Sequence, residues 1–457
     1  MSTGRKPFAA ARALFLALVP SVLLAFFPGL GAGKLRAADS PAQSAAPAGP
    51  LTPAKKEAIV RRVATEFRAK YVFADVAEKM AAAVEGKFRR GGYDCFAVLD
   101  KFTSQLQEDL RSISRDRHIK VLPGEVPSFD ADAETLRKEH FGFNTVEILP
   151  GNIGYLEFFQ FYSVKDAGPT AIAAMNFLAG CDALIIDLRA NGGGYPELRQ
   201  LICSYFFDEP ACLIEFRGRD GVTQDWTLPY VPGPRMAKIP VYILLSRLSF
   251  SCAEDFAFCM RNLGRATLIG EATRGGAHDS KMWSYPAESI SLQIPFNEAV
   301  DPKSKKTWEA VGVQPDIPVS SGQALAAAMK EAAKALLNGH PDQDRKFLLE
   351  WVLKDCEIQL RPVELDPKAL AEYAGRYGAY EITWEYDRLF FCSNENERKR
   401  LLLPVEADDF KIVEEGKRGS AAYRVRFTRD ASGRVTELYL HDLDGGRYEP
   451  HKREEKR

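Results

Sequence analysis

The sequence predicts an α/β protein in which a helical segment precedes, and a small β domain follows, a core of alternating strands and helices. Three observations support this fold class. Apolar residues recur every three or four positions between Thr52 and Ile119, as they do on amphipathic helices. Between about 145 and 320, short apolar runs alternate with helix-like segments, which is typical of βαβ units. After about Pro362, short strand-like runs alternate with turn residues such as Asp430-Ala-Ser-Gly433.

The first fifty residues resemble an export signal and a linker. An apolar run follows the basic residues Arg5, Lys6 and Arg12, and small residues follow that run. This order is that of a secretory signal, so residues 1–38 are predicted to be a signal peptide. The apolar run approaches the length that spans a membrane, so the segment could also stay uncleaved as an N-terminal anchor. This anchor is the only membrane contact that we predict. Residues 39–50 form a low-complexity linker, and we expect an exported protein, either periplasmic or extracellular.

The remaining chain divides into four predicted segments. The helical domain is expected at 51–125, the core of alternating strands and helices at 126–340, a helical linker at 341–361 and the β domain at 362–457. Predicted helices are Lys55–Tyr71, Ala77–Phe88, Asp94–Ser114, Gly168–Leu178, Glu197–Phe206, Asp255–Leu263, Ala324–Leu337 and Arg345–Leu353. Predicted strands are Ile153–Phe159, Ala183–Arg189, Ile239–Leu245, Ala266–Gly270, Tyr377–Trp384, Leu389–Cys392, Lys411–Val413, Tyr423–Phe427 and Thr436–Tyr439.

Composition excludes several classes of function. A formal charge of −1 over 457 residues gives no global electrostatic argument for nucleic-acid binding. The eight cysteines form no C-x-x-C pair, so neither a zinc site nor a disulfide framework is expected. The chain has no dinucleotide fingerprint and no P-loop, and no metal or organic cofactor is predicted. The oligomeric state stays open, a homo-oligomer included.

The segment from Ser246 to Glu254 carries the strongest chemical signal. It follows a buried strand and precedes a helix, so a serine there lies beside unpaired backbone N–H groups and the positive end of a helix dipole. An acyl-transfer nucleophile needs these surroundings. Ser251 is the first candidate and Ser249 the second. Ser251-x-x-Glu254 also fits a capping box, in which the two side chains only satisfy helix donors.

A serine nucleophile needs a base and donors for its oxyanion. Two of the six histidines are candidate bases: His118 follows the third predicted helix, and His278 follows a glycine-rich turn. The glycines 192–194 follow the strand that ends near Arg189, and backbone N–H groups there could approach a reacting carbonyl. An ordinary tight turn would also explain three glycines.

Four sequence blocks follow one another in a fixed order. They are Asp187-Leu-Arg-Ala-Asn-Gly-Gly-Gly194, Ser249-Phe-Ser-Cys-Ala-Glu254, Arg265-Ala-Thr-Leu-Ile-Gly-Glu-Ala-Thr-Arg-Gly-Gly276 and Trp308-Glu-Ala-Val-Gly-Val-Gln-Pro-Asp-Ile-Pro-Val319. Together they resemble the tail-specific (C-terminal processing) serine protease family. The resemblance is strongest to the branch that contains the tricorn protease core and interphotoreceptor retinoid-binding protein. The resemblance implies a crotonase-like (ClpP-like) core and peptide or protein substrates.

The resemblance also assigns roles. Members with a lysine base carry it 25 residues after the nucleophile, where this chain has Gly276, so a histidine base is implied instead. Ser251 would be the nucleophile, His118 the base and Glu309 the group that orients the imidazole. The N–H of Cys252 and one from Gly193 or Gly194 would hold the oxyanion.

Two expectations concern what the chain does not do. Only about 34 residues separate His118 from the strand at 153, which is too few for a peptide-binding PDZ domain. The same branch contains a carrier of retinoids and fatty acids, so a non-catalytic carrier of hydrophobic ligands is the alternative to a peptidase.

Overall fold

The computed structural model describes residues 51–126, 132–394, 396–413, 418 and 422–454. The signal or anchor predicted at 1–38 and the linker at 39–50 lie outside the described residues. Within the part of the chain that the structure describes, none of the helices has the length and apolarity needed to cross a membrane.

Three helices form the N-terminal part: α1 (Pro53–Lys70), α2 (Ala74–Arg89) and α3 (Leu99–Ser114). All three predicted helices are confirmed, with starts that shift by up to five residues. Thr52 Oγ1 accepts the N–H of Lys55 at 3.2 Å, which fixes the start of α1. The short strand β1 (Lys120–Pro123) follows α3. The helices share their apolar core with a strand of the next segment, through residues such as Leu292.

The core segment alternates strands and helices as predicted, and it also contains strands that the sequence did not indicate. Its elements are α4 (Ala133–Lys138), β2 (Phe143–Leu149), β3 (Ile153–Phe158), α5 (Val164–Leu178), β4 (Ala183–Asp187), α6 (Pro196–Ser204), β5 (Cys212–Gly218), β6 (Gly221–Trp226), β7 (Val241–Leu245), α7 (Cys252–Asn262), β8 (Thr267–Gly270), β9 (His278–Tyr285), β10 (Ile290–Val300), β11 (Ile317–Pro318) and α8 (Ala324–Leu337). The long helix α9 (Gln343–Leu360) follows.

The central sheet has six strands in the order β11-β8-β7-β4-β3-β2. Its neighbours pair in parallel except β2 and β3, which are antiparallel. In β4, Leu184 and Ile186 face one apolar cluster, which includes α5, α6 and α7, while Ile185 faces another, which includes α8 and α9. Burial on both faces explains why β4 and β7 are continuous apolar runs. The core is therefore the expected crotonase-like βα core.

A second sheet runs in the order β1-β10-β5-β6, with β9 on the other edge of β10. Strand β10 pairs Gln293 with Lys120 of β1 and Glu298 with His278 of β9. Because β1 begins two residues after His118, this one strand brings both candidate histidines into the same region. None of these strands was predicted. Strand β6, for example, is exposed at consecutive positions along most of its length, so it lacks the alternation of buried and exposed residues that indicates a strand.

The C-terminal part is a single antiparallel sheet, as expected for a small β domain. After α10 (Pro367–Ala371), eight strands pair in chain order: β12 (Gly375–Tyr377), β13 (Tyr380–Glu385), β14 (Arg388–Ser393), β15 (Asn396–Glu406), β16 (Asp409–Ile412), β17 (Tyr423–Arg429), β18 (Val435–Asp442) and β19 (His451–Lys452). The buried carboxylate of Asp355 in α9 binds Arg424 at 2.8 Å and Lys411 at 3.2 Å. These ion pairs attach the sheet to the core.

Candidate active site

Ser251 occupies the turn between β7 and α7. Its backbone has φ 56° and ψ −120°, a left-handed conformation that is unusual for a residue with a side chain. Such strain persists at functional sites because the surrounding structure holds it. The hydroxyl of Ser249, by contrast, is fully buried and donates to Leu188 O at 2.7 Å while accepting the N–H of Ser246 at 3.0 Å. Ser249 therefore shapes the turn, and Ser251 faces the open pocket.

The buried carboxylate of Glu254 holds this turn against the next loop. It accepts hydrogen bonds from the N–H groups of Ser251 at 2.8 Å, Gly275 at 2.6 Å and Gly276 at 2.9 Å, and from Thr273 Oγ1 at 2.5 Å. Burial raises the pKa of Glu254, although these donors favour the ionised form. The glutamate half of the predicted capping box is thus present, and it also joins α7 to the loop 273–276.

The glycine loop after β4 lies directly against the nucleophile. Asn191 Oδ1 accepts the N–H of Gly193 at 2.9 Å, and Asn191 O accepts the N–H of Phe250 at 3.1 Å. Gly193 has φ 99°, and a Cβ there would lie 2.8 Å from Ser251 Cβ and 2.9 Å from Cys252 N. Only glycine allows this close approach. Gly194, Ser251 and Cys252 line one pocket.

His118 lies within hydrogen-bond distance of Ser251. Its Nε2 is 3.0 Å from Ser251 Oγ, and its ring stacks on Phe250 with the centroids 4.7 Å apart. Burial lowers the pKa of His118 to about 4, so the imidazole is neutral at neutral pH and can accept a proton. A Cβ at position 276, where a lysine base would stand, would be 2.8 Å from His118 Cε1. The imidazole therefore lies beside the position of the absent lysine.

The loop that carries His118 is fastened to α3. Asp116 Oδ1 accepts the backbone N–H of His118 at 2.9 Å, which forms a tight turn. The guanidinium of Arg111 donates to Arg117 O and Ile119 O, both at 2.8 Å. These bonds fix the position of the imidazole. Among the described residues, its Nδ1 has no hydrogen-bond partner.

Asp116, rather than Glu309, is the carboxylate that the geometry places next to the imidazole Nδ1. Asp116 Oδ1 is 4.0 Å from His118 Nδ1, while Asp116 Oδ2 bonds His278 Nδ1 at 2.5 Å and Tyr71 OH at 3.2 Å. Burial acts against ionisation of Asp116, but the hydrogen bond and charge of His278 outweigh it and lower the pKa of Asp116. Burial also acts against a charged His278, and Asp116 outweighs it and raises the pKa of His278.

Glu309 belongs to the same cluster but makes different contacts. Its Oε2 accepts the N–H of Ala277 at 2.5 Å and lies 3.8 Å from His278 Nδ1. Its Oε1 is buried without a hydrogen-bond partner in the described residues. Burial raises the pKa of Glu309 to about 7, so the group is partly protonated at neutral pH. The structure thus brings Ser251 to His118, and it brings Glu309 to His278.

Among the described residues, one group has the donor types and proximity of a metal site: Asp116, His278 and Glu309, whose ligand atoms lie within 4.8 Å of one another. The hydrogen bond between Asp116 and His278 accounts for this proximity without an ion. Sequence reasoning gave no role to Asp116 or to the loop contacts of Glu254. For Asp116, the available signal was its place two residues before His118, since Asp often accepts an N–H two residues later.

Two family models match separate parts of this chain. Residues 152–319 match the model of peptidase family S41, and residues 52–140 match the model described as the N-terminal domain of Peptidase_S41 in eukaryotic IRBP. A carboxyl-terminal-processing protease from Picosynechococcus sp. is 26% identical over 136 residues, which are 29% of this chain and 31% of that protein. The chain thus matches about a third of the length of this curated relative.

Solved structures with a similar arrangement include a lipoprotein from Streptococcus agalactiae, with a TM-score of 0.44, 15% identity and coverage of 63% of this chain and 97% of that one. The photosystem II D1 C-terminal processing protease has a TM-score of 0.40 and 12% identity, with coverage of 58% and 93%. The two family models thus match separate segments of the chain, and residues 152–319 match peptidase family S41.

Proposed function

We propose that this protein is an exported serine peptidase of family S41 that hydrolyses peptide bonds through an acyl-enzyme. One observation carries the proposal: the neutral imidazole of His118 lies 3.0 Å from the hydroxyl of Ser251, at the start of a helix and beside a glycine loop. The proposed nucleophile and base are thereby within hydrogen-bond distance, and the proposed oxyanion donors belong to residues that line the same pocket as Ser251. Export rests on the signal-like residues 1–38.

The chemistry follows the general scheme of a serine hydrolase. His118 Nε2 takes the hydroxyl proton as Ser251 Oγ attacks the carbonyl carbon of the scissile bond. His118 then gives the proton to the leaving amine, and water repeats the sequence on the acyl-enzyme. Cys252 N at the start of α7 is one oxyanion donor. Because Gly193 N already donates to Asn191, Gly194 N is the second donor.

Two carboxylates compete for the role of stabilising the imidazolium. Glu309 has the position that the family resemblance assigns, but its Oε2 bonds Ala277 N. Asp116 lies 4.0 Å from His118 Nδ1 and is ionised more readily. We propose that Asp116 orients the imidazole and that Glu309 acts on it through the His278 pair. A small closure on substrate binding would shorten the Asp116 contact, since catalytic hydrogen bonds are often long before substrate arrives.

The dimensions of the pocket favour a peptidase over a carrier. The pocket beside Ser251 has a volume of about 40 Å³. Sites for drug-sized ligands are typically about 300–1,000 Å³. A retinoid or fatty acid would therefore need a site other than this pocket, whereas a peptide needs to insert only one side chain.

Activity-based labelling tests the assignment. A fluorophosphonate probe should label the wild type on Ser251, and Ser251→Ala should remove labelling and lower turnover by about 10⁴-fold or more. His118→Ala should slow labelling strongly, because the hydroxyl loses its base. Ser112→Ala, an exposed helical serine, is the matched control and should label like the wild type. Undiminished labelling of Ser251→Ala would overturn the nucleophile, and no labelling of the wild type together with fatty-acid binding would favour the carrier.

A further inference from the structure

We infer that the pocket beside Ser251 selects a positively charged side chain on the substrate residue that supplies the scissile carbonyl. This inference rests on the proposed function, since it concerns the same site. The pocket is lined by Ser251 and by Cys252 and Gly194, the residues of the proposed oxyanion donors. A side chain that enters here therefore belongs to the residue whose carbonyl Ser251 attacks. Two carboxylates, Asp255 and Asp279, line the same pocket.

Asp255 carries an unused acceptor. It stands one turn after Ser251 in α7, its side chain is 8% exposed, and its Oδ2 lies 3.3 Å from Nε of the buried Arg199. Its Oδ1 has no hydrogen-bond partner in the described residues. Arg199 is shared, because its Nη2 also contacts Asp225 at 2.5 Å. One guanidinium thus faces two carboxylates, so Arg199 is not available to Asp255 alone.

Asp279 adds a second negative charge. It follows His278 at the start of β9, and burial raises its pKa to about 6, with Asp255 contributing by repulsion. Burial raises the pKa of Asp255 to about 6 as well, although Arg199 opposes the shift. The charge of His278 is already matched by Asp116 at 2.5 Å. Two carboxylates that repel each other in a partly closed space are stabilised by a cation placed between them.

The other walls fit the aliphatic part of a lysine or arginine. The pocket is also lined by Phe216, Ala299 and Trp308, of which the last two are buried. Long basic side chains place their methylene groups against apolar surface while the charged end reaches polar groups. The enclosed volume of about 40 Å³ accommodates the charged end, and the stem lies across the mouth. An acidic side chain would meet like charge, and a large apolar one would bury the carboxylates unpaired.

Kinetics on matched peptides test this inference. Three peptides differ only at the residue before the scissile bond, which is lysine, its uncharged isostere norleucine or glutamate, and mass spectrometry locates the cut. We expect kcat/KM for the lysine peptide to exceed that for the norleucine peptide by about 10–100-fold, and the glutamate peptide to be the poorest substrate.

Variants then test which groups carry the selection. Asp279→Asn and Asp255→Asn should each move the lysine-to-norleucine ratio toward one, whatever happens to the absolute rates. Asp220→Asn, an exposed aspartate at the tip of the β5–β6 hairpin, is the matched control and should keep the wild-type ratio. Fluorophosphonate labelling of each variant identifies any that fails to fold. If Asp279→Asn fails to fold, Asp279→Ser replaces it, since serine removes the charge with a smaller side chain.

The outcomes separate the inference from the proposed function. A wild type that is labelled and cleaves norleucine or glutamate peptides at least as well as lysine peptides overturns the inference and leaves the peptidase intact. A lysine preference that survives in both aspartate variants overturns the roles of Asp255 and Asp279. A wild type that neither labels nor cleaves removes the proposed function, and the inference with it.

Discussion

The two halves of the site are built in different ways. On the nucleophile side, side chains hold the backbone: Asn191 accepts the N–H of Gly193, Glu254 accepts the N–H of Ser251, and Ser249 donates to Leu188 O. On the base side, side chains share one carboxylate, since Asp116 faces both His118 and His278. In the first half, these three side chains are paired. The second leaves His118 Nδ1, His278 Nε2 and Glu309 Oε1 without partners in the described residues.

This difference separates what is rigid from what can adjust. Buried polar groups without partners are costly, so they tend to occur where a site gains contacts when it binds its ligand. The nucleophile side should therefore respond to steric change and the base side to charge. The predictions below test this division in decreasing order of expected effect.

Gly193→Ala should have the largest effect. The new Cβ would lie 2.7 Å from Phe250 O and 2.8 Å from Ser251 Cβ, in a backbone conformation with φ 99°. The backbone must shift, and the nucleophile and oxyanion donors shift with it. Loss of one oxyanion donor alone costs about 10²–10³ in kcat, and we expect about 10³-fold here. Peptide hydrolysis and fluorophosphonate labelling measure the loss.

The control for this variant separates strain from collision. Gly221→Ala places alanine at φ 128° in a hairpin where nothing lies within 4 Å of the new Cβ. It carries the conformational cost of a positive φ without the contact with the nucleophile. Activity near the wild type is expected for Gly221→Ala. Equal losses of activity in the two variants would mean that backbone strain, and not the close approach to Ser251, is the reason why position 193 requires glycine.

Asp116→Asn should have the next largest effect, about 10²-fold in kcat/KM. The variant keeps the volume of the side chain but removes the charge that stabilises the imidazolium of His118. Glu309→Gln is the matched comparison, because it also exchanges a carboxylate for an amide in the same cluster. We expect it to cost less than about tenfold, since Glu309 lies against His278.

The reverse ranking would contradict the division of roles. If Glu309→Gln cost about 10²-fold and Asp116→Asn little, Glu309 would be the orienting carboxylate, as the family resemblance implies. Thermal unfolding of both variants identifies losses caused by misfolding. Asp116 also accepts the backbone N–H of His118 at 2.9 Å, which an asparagine side-chain oxygen can still do.

The sequence predicted the nucleophile side well because its signals are local. A buried apolar run, a serine turn, a helix start and three glycines are patterns of neighbouring residues, and β7, α7 and the loop after β4 are found where they were expected. The helices of the N-terminal part were predicted for the same reason. Their periodicity requires no knowledge of the rest of the chain.

The base side was harder because it depends on contacts between distant segments. The pairing of Asp116 with His278 joins residues 162 positions apart, and it is created by the sheet in which β10 binds both β1 and β9. Strands β1, β9 and β10 were not predicted, so nothing in the sequence placed the two histidines on either side of one carboxylate. The resemblance to a family supplied His118 and Glu309, but not the role of Asp116.

The pH dependence of kcat/KM gives the smallest and most discriminating effect. The base must be neutral, and burial lowers the pKa of His118 to about 4. If the carboxylate that stabilises the imidazolium of His118 is Asp116, which is already ionised, kcat/KM should fall less than about threefold between pH 7 and pH 5. If Glu309 must be ionised, its pKa of about 7 would instead cause a loss of about 50-fold over the same interval.

The pH measurement needs one correction for stability. The folded-state pKa of His118 lies below the ordinary value of 6.5, so the unfolded chain binds the extra proton first, and stability is lost as the pH falls from 6.5 toward 4. Circular dichroism at each pH therefore accompanies the rates. If the wild-type rate falls with a pKa near 7 and this fall disappears in Glu309→Gln, Glu309 is the carboxylate that stabilises the imidazolium. If the rate falls only below pH 5 in both the wild type and Glu309→Gln, that role belongs to Asp116, the carboxylate that the second sheet places between the two histidines.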